Sequence, residues 1–583
     1  MRAHQVIVLV TPVFLLLIAA ELLWGWRKRR QTYRLADALT SISLGMLSEV
    51  TKVLTRLLRV GVYTAVYMAL SLWAPAQAQE FWTSALGWVL ALVFYDFCYY
   101  WYHRAGHEVA VFWAAHAVHH HSQDYNLSTA LRQTSTGALL GWVFYLPMAL
   151  AGVPPLVFGV VALVDLLYQF WVHTEHVPRL GWFDRWFCSP SNHRVHHAIN
   201  DRYLDRNYGG ILMVWDRLFG SFEPESEPCV YGTRKNLNSW DPVWANVQGY
   251  WDLWQESRRA RRWADKWRVW VKPPGWRPEL AGQRVVATPL DLAQVQRYAP
   301  PLGRSAAYVA LVNFMVLLAG VAGFLWNLDR MNTQQTGLWM GALCLGLWAV
   351  GALLQGRMSV AQALMVQAAA LTTVTAALDW LDAYRVFKPL VMLLALADVA
   401  TSRSGAWAVG EAGHVKSGTY WSRGRALLML ALLCSLAGDV FLMWPGYFVP
   451  GLLSFLLAHL AYIALFKQGQ RWFASRLGLG MTLAMGLGMY AYLWHHGLPA
   501  GLRLPVAAYV VVIALMAAQA LGRASQRKDR SAQAVALGAC VFILSDALLA
   551  TNKFATPLPM AQLWVLATYY LAQILIVRYA QKA

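Results

Sequence analysis

Long apolar runs separated by short polar breaks dominate the chain from end to end. Runs close to the roughly 20 residues that a helix needs to cross a bilayer lie at 6–24, 60–74, 85–102, 134–151 and 154–172. After a polar interval they resume at 306–326, 337–354, 360–378, 388–400, 426–444, 448–466, 477–494, 504–522, 533–550 and 562–579. Sustained apolar runs of this length predict membrane-spanning helices, so the expected fold is all-α, polytopic and membrane-embedded. A Pro-, Gly- and Arg-rich region at 272–304, containing KPPGWRPE and YAPPLGR, divides the pattern. Before it, a few spans are joined by long polar connections; after it, the connections are short.

Composition sharpens the picture. The 583 residues are 58% hydrophobic and 14% charged, whereas soluble domains are nearer half apolar and a quarter charged. Of the first run, only Arg2 precedes it, while Arg27, Lys28, Arg29 and Arg30 follow; a cleavable signal has the reverse arrangement, so a retained anchor is expected. The net charge of +19 is concentrated in segments such as WRKRR and RRARRWADKWRVWVK. The positive-inside rule makes these cytoplasmic, with the N-terminus outside. The basic, indole-rich stretch from Trp251 to Trp276 fits the headgroup layer over anionic lipid, not nucleic acid. Six scattered cysteines without a CxxC pair give neither a disulfide framework nor a thiolate metal site.

Eleven of the sixteen histidines fall between His103 and His197. They form four groups: HRAGH (His103, His107), HAVHHH (His116, His119, His120, His121), HTEH (His173, His176) and NHRVHH (His193, His196, His197). Offsets of three and four put side chains on one face of a helix, so each group can aim two or three imidazoles at one point. A single catalytic zinc takes about three protein ligands, so eight or nine imidazoles imply two metals. Nitrogen ligation suits iron, zinc, copper or nickel, and spacing does not choose among them. Counting spans from an outside N-terminus brings all four groups to one cytoplasmic membrane boundary. A metal transporter would instead string its ligands along a path through the membrane. Asp96, seven residues before His103, lies on the same helical face, where it could orient an imidazole or act as an interfacial cap.

The stretches DFCYYWYHRAGHE, HAVHHHSQDYNLSTALRQ, LLYQFWVHTE, SPSNHRVHH and GILMVWDRLFGSFEPE resemble the fatty acid hydroxylase and sterol desaturase superfamily, and within it the alkylglycerol monooxygenase branch, over about 35–250, with a weaker likeness to 375. The resemblance implies a di-iron centre, tetrahydrobiopterin as reductant, dioxygen as co-substrate and an alkylglycerol in the membrane as substrate. It assigns His103, His107, His116, His119, His120, His173, His193, His196 and His197 as metal ligands and matches Glu108 to the acidic residue after the first histidine box. His121 stands where the family usually has serine and is not counted. Such a centre is chemically apt: breaking an aliphatic C–H bond needs an oxidant that no side chain provides. The alternative within the superfamily is a sterol or fatty-acyl hydroxylase or desaturase with a non-catalytic C-terminal bundle.

In the second half, isolated polar residues interrupt apolar runs: Lys388, Asp439, His459, Asp546, Lys553, Tyr570 and Gln573. Ionisable groups within spans are costly and mark functional sites or interhelical hydrogen bonds. The elements CSLAGD, AHLAY, SDALLA and YYLAQ occur in an order similar to that of the lysoplasmalogenase family, over about 380–583. That resemblance implies vinyl-ether cleavage of lysoplasmalogen, with Asp439 and Asp546 as the acid–base pair. The expected organisation is a hydroxylase-like di-iron domain at 1–283, a linker and further helices at 284–380, and a lysoplasmalogenase-like membrane domain at 381–583. Compact loops point to a bacterial inner membrane, with the metal site on the cytoplasmic side.

Overall fold

The computed structural model describes residues 3–278, 289–402 and 423–580; the expected boundary at 283/284 lies outside them. Among the described residues the chain is helical, with β pairing confined to two isolated bridges, Phe187 with Leu212 and Ala198 with Tyr231. Among the described residues ten helices are long and apolar enough to cross a membrane, or eleven if the pair Pro75–Trp82 and Ala85–Glu108, bent by 91°, is one broken span. The protein is an integral membrane protein. Its chain divides into two units, residues 1–332 with 350–356, and residues 333–349 with 357–583.

Several expected spans take another form. The run at 60–74 is the tail of a helix that begins at Leu35 and passes through a π-helical turn at Leu57–Gly61 before ending at Leu70. The run at 134–151 is broken into short α and 3₁₀ turns, and Pro155–Trp171 has only 17 residues. The run at 388–400 belongs to a 21-residue helix, Leu381–Thr401, that carries Asp382, Arg385, Lys388 and Asp398. Apolar composition reports burial, and in these segments it does not separate burial in lipid from burial in protein.

In the first unit, α1 (Ala3–Arg27) and α2 (Leu35–Arg56) precede the helices that carry the histidines. The main one is α3 (Ala85–Glu108), whose first turn is capped by Ser84 Oγ accepting from Gly87 N at 3.0 Å. The sharp entry bend depends on Gly87, where a Cβ would lie 2.1 Å from the Phe81 carbonyl oxygen. One extended residue, Val109 (φ −125°, ψ 122°), separates α3 from α4 (Ala110–His120). The next helix, α5 (Pro155–Trp171), ends just before His173. Then α6 (Pro190–His197) begins with Pro at its first position and with Ser189 as cap, and all of its residues are buried. Proline there loses no intrahelical hydrogen bond.

The second unit is a bundle of α7 (Val360–Ala377), α8 (Leu381–Thr401), α9 (Arg423–Leu442), α10 (Phe448–Lys467), α11 (Arg476–His495), α12 (Ala500–Arg527), α13 (Arg530–Phe554) and α14 (Ala561–Ala580). Its core mixes large residues such as Met392, Tyr462, Phe466 and Phe542 with alanines 395, 431, 517 and 539. Small residues let helices approach where lipid supplies no hydrophobic drive. At Gly438 a Cβ would lie 2.6 Å from the Phe455 ring, so the α9–α10 contact requires glycine.

Candidate functional site

The nine histidines singled out above gather into two groups. His103, His107, His116, His120 and His196 bring one ligand atom each within 4.8 Å of one another, and His119, His173, His193 and His197 do the same. Helices α4 and α6 serve both. On α4, His116 and His120 face the first group and His119 the second; on α6, His193 and His197 face the second and His196 the first. Positions i and i+4 lie nearly in line, and i+3 falls to the other side of that line. One short helix thus addresses two centres. HTEH is not helical: His173 follows the end of α5, and His176 turns away, with Nε2 3.4 Å from Thr32 Oγ1. Neither His176 nor His121 belongs to either group.

Backbone carbonyls fix the rings. The Nδ1–H of His103 donates to Tyr208 O (2.7 Å), that of His119 to Arg132 O (2.9 Å), that of His173 to Gln169 O (2.8 Å) and that of His196 to Arg206 O (3.0 Å). His107 Nδ1 faces the Asp205 carboxylate at 3.3 Å, and His193 Nδ1 faces Cys188 Sγ at 3.9 Å. Such partners choose the tautomer and leave the inner nitrogen as a lone pair. The Nε2 atoms of His119 and His173 are 3.2 Å apart, and both rings have spent their proton on a carbonyl. Two lone pairs at that distance repel unless a cation lies between them. The buried Nε2 atoms of His107 and His196 have no hydrogen-bond partner. Burial pushes His119 down to about 4, and His116, His120, His193, His196 and His197 well below the usual histidine value. Neutral imidazoles are the form that binds metal. The donor set therefore fits two metal ions.

The DYNLSTALRQ stretch wraps this centre. Tyr125 donates to Val172 O (2.9 Å) and stacks on His173 with ring centroids 5.6 Å apart. Asn126 caps the turn Leu127–Ala130, accepting from Ser128 N at 3.0 Å. Arg132, 1% exposed, donates to Val118 O (2.8 Å) and Ser41 Oγ (3.2 Å). Asp124 pairs with Arg34 (2.9 Å) and Arg297 (3.2 Å); burial, with the nearby Asp37 carboxylate, pushes its carboxyl up to about 6. Asp96 does not touch an imidazole. It accepts from Ile211 N (2.7 Å), Leu212 N (3.1 Å) and Trp215 Nε1 (2.8 Å), while Asp216 accepts from Tyr208 N and Gly209 N, both at 2.7 Å. The two aspartates hold the segment whose Tyr208 carbonyl orients His103. Glu108 lies in neither group: 45% exposed, its carboxylate takes Arg104 Nε at 2.9 Å.

In the second unit, Asp439 and Asp546 line one cavity of about 550 Å³ with apolar walls that include Leu442, Leu452, Phe455 and Val506. Lys388 Nζ is 3.5 Å from Asp439 Oδ1, and the Tyr569 hydroxyl donates to Asp439 Oδ2 at 2.7 Å. The Tyr509 hydroxyl donates to Asp546 Oδ2 at 2.5 Å, and His459 Nε2 lies 2.9 Å from the same hydroxyl. Lys553 also lines the cavity, 4.8 Å from the Phe448 ring centroid. Gln573 bonds instead to Tyr462 (2.8 Å) within the core. Tyr509 and Tyr569 escape a reading of the sequence because a tyrosine in an apolar span is ordinary. Their hydroxyls gain meaning only from the carboxylates across from them.

A helical membrane protein with nine imidazoles in two ligand-competent groups belongs to the class of histidine-box membrane proteins. Residues 88–221 match the fatty acid hydroxylase family and residues 383–580 the YhhN family. Alkylglycerol monooxygenases of Xenopus tropicalis and Homo sapiens are 38% and 37% identical to the chain over 314 residues, 53% of this chain and 68% of each relative. The chain belongs to the alkylglycerol monooxygenase family. Its C-terminal part is similar to a lysoplasmalogenase of Homo sapiens, 38% identical over 150 residues, 26% of this chain and 61% of that protein. No solved structure matches the chain.

Proposed function

We propose that the protein is a two-activity enzyme of ether-lipid breakdown. Its first unit oxidises alkylglycerols and its second cleaves the vinyl ether of lysoplasmalogens. The convergence of nine imidazoles in two groups carries the first assignment. Held there, two iron ions would supply, with dioxygen and two electrons and two protons from tetrahydrobiopterin, the oxidant for hydroxylating the carbon next to the ether oxygen, the second oxygen atom leaving as water. The chain's own part is to gather nine imidazoles, four of which (His103, His119, His173 and His196) are turned inward by the Tyr208, Arg132, Gln169 and Arg206 carbonyls. The hydroxylated product is a hemiacetal, which collapses to a fatty aldehyde and a glycerol lipid. The basic loops support a cytoplasmic side for the site, and the compact loops support a bacterial inner membrane.

In the second unit, one carboxyl of the Asp439 and Asp546 pair gives its proton to the vinyl carbon distant from the ether oxygen, the π electrons forming the new C–H bond. Water adds to the resulting oxocarbenium carbon and loses a proton to the other carboxylate. Collapse of the hemiacetal breaks the C–O bond to glycerol. The second carboxyl returns its proton to the departing oxygen, and the hemiacetal hydroxyl returns one to the first.

Full-length protein in detergent, assayed for aldehyde release and metal content, tests both activities. Alkylglycerol turnover is expected to require dioxygen and reduced pterin, with about two metal ions per chain. Turnover that persists without oxygen, or oxidation of acyl chains and sterols alone, overturns the first assignment. Absence of aldehyde from lysoplasmalogen overturns the second.

A further inference from the structure

We propose that His459 is a positioning residue that acts through Tyr509 to present one chosen oxygen, Oδ1 of Asp546, to the lipid in the second-unit cavity. The inference rests on the vinyl-ether hydrolase reading and adds residues to it. Three side chains from three helices meet at the Tyr509 hydroxyl: His459 on α10, Tyr509 on α12 and Asp546 on α13, with His459 Nε2 3.9 Å from Asp546 Oδ2. The Tyr509 hydroxyl donates to Asp546 Oδ2 at 2.5 Å, so its oxygen is left to accept. Among the described residues the group placed to donate to it is His459, whose Nε2 is 2.9 Å away and therefore carries the ring proton. The ring's other nitrogen, Nδ1, is then a bare lone pair, and it is buried without a hydrogen-bond partner.

That arrangement is a poor one for stability alone. His459 is fully buried, packed edge-on against Phe542 at 4.8 Å between centroids. An aromatic or aliphatic residue would fill the same place without stranding a polar atom, which is costly in a low-dielectric interior. What histidine adds is the Nε2–H. Polarising Tyr509 from behind strengthens the hydrogen bond that Tyr509 gives forward, since bonds in a chain reinforce each other. With Oδ2 occupied, the proton transfer of Asp546 is confined to Oδ1. Asp439 shows the contrasting arrangement, with Lys388 at Oδ1 and Tyr569 at Oδ2. Tyr509, Asp546 and Asp439 line the cavity, and His459 sits behind that lining. Its hydrogen-bond partner is Tyr509 at 2.9 Å, and Asp546 Oδ2 lies beyond hydrogen-bond distance at 3.9 Å.

Aldehyde release from lysoplasmalogen by the full chain in detergent tests this. Tyr509→Phe and His459→Leu are each expected to lower kcat about tenfold or more with KM little changed, as misalignment of a reacting group does. His459→Gln, which can still donate an N–H to the Tyr509 oxygen, is expected to keep most of the turnover. In a Tyr509→Phe background, either His459 change is expected to have no further effect on kcat, because the path is already broken. Thermal unfolding of each variant is recorded alongside; if His459→Leu does not fold, His459→Gln in the two backgrounds decides. Equal losses from His459→Gln and His459→Leu, or losses that multiply in the Tyr509→Phe background, overturn the positioning role. An active wild type with full turnover in His459→Leu overturns this inference alone, and an inactive wild type overturns the hydrolase reading beneath it.

Discussion

Arg132 serves the metal centre through both main chain and side chain. Its carbonyl accepts the His119 Nδ1–H, while its guanidinium, almost wholly buried, donates to Val118 O and Ser41 Oγ. Arg132→Met keeps the volume and loses the donors. It is expected to cost about 2 kcal/mol of stability and to weaken metal binding on the order of tenfold or more through His119; metal titration by competition with a chelator measures it. Metal affinity equal to that of the wild type would show that the carbonyl is held by other means. His119 also sets a pH dependence. Its pKa in the fold is about 4 against 6.5 for a free histidine. Above 6.5 neither the folded nor the unfolded ring is protonated, and stability is unaffected. Between 6.5 and 4 the unfolded chain takes a proton that the fold refuses, so the metal-free protein is expected to lose stability as pH falls through that window. Unfolding temperatures of chelator-treated protein from pH 7.5 to 4.5 test the direction; a rise on acidification contradicts it.

At the scale of elements, the three histidine-bearing helices were legible because imidazoles at offsets of three and four announce a helical face. How those faces are divided between two centres was not, since α4 and α6 each straddle both groups and only their packing angle decides it. The carbonyl partners were equally hidden: Tyr208, Gln169 and Arg206 act through main-chain atoms, which no side chain advertises. Asp96 was noticed for its helical register with His103, yet it acts on the 211–215 segment instead. Glycines carry part of this design. At Gly210 a Cβ would lie 2.8 Å from Asp165 Oδ1 and 2.9 Å from the Tyr99 ring; at Gly45 it would lie 2.4 Å from the Leu131 backbone oxygen. Gly45→Ala pushes backbone against backbone and is expected to displace the segment before Arg132, lowering the unfolding temperature and the metal content together. In an exposed helix the same change is expected to stabilise, because alanine is the better helix former. An unfolding temperature raised with full metal content would mean that α2 has room to shift.

At the scale of the whole molecule, the two proposed chemistries share a product and nothing else. The first needs nine imidazoles, metal and oxygen; the second needs two carboxylates, water and an apolar cavity, and both groups of imidazoles lie in the first unit while the cavity is lined wholly from the second. A strong chelator, or His119→Ala with His197→Ala, is therefore expected to abolish aldehyde release from alkylglycerol while leaving release from lysoplasmalogen within about twofold of the untreated protein, because its acid–base step uses no metal. Asp439→Asn and Asp546→Asn are expected to do the reverse: amide side chains keep size and hydrogen bonding but cannot exchange the proton, so vinyl-ether cleavage is lost with alkylglycerol oxidation and metal content retained. Each treatment thus has its own control in the other substrate, measured on the same preparation. Loss of both activities under chelation would mean that metal also holds the second unit's cavity together, and near-normal lysoplasmalogen turnover in the two asparagine variants would remove these aspartates from the chemistry, leaving Asp439 as a polar tie of α9 to α8 and α14 and Asp546 as one of α13 to α12.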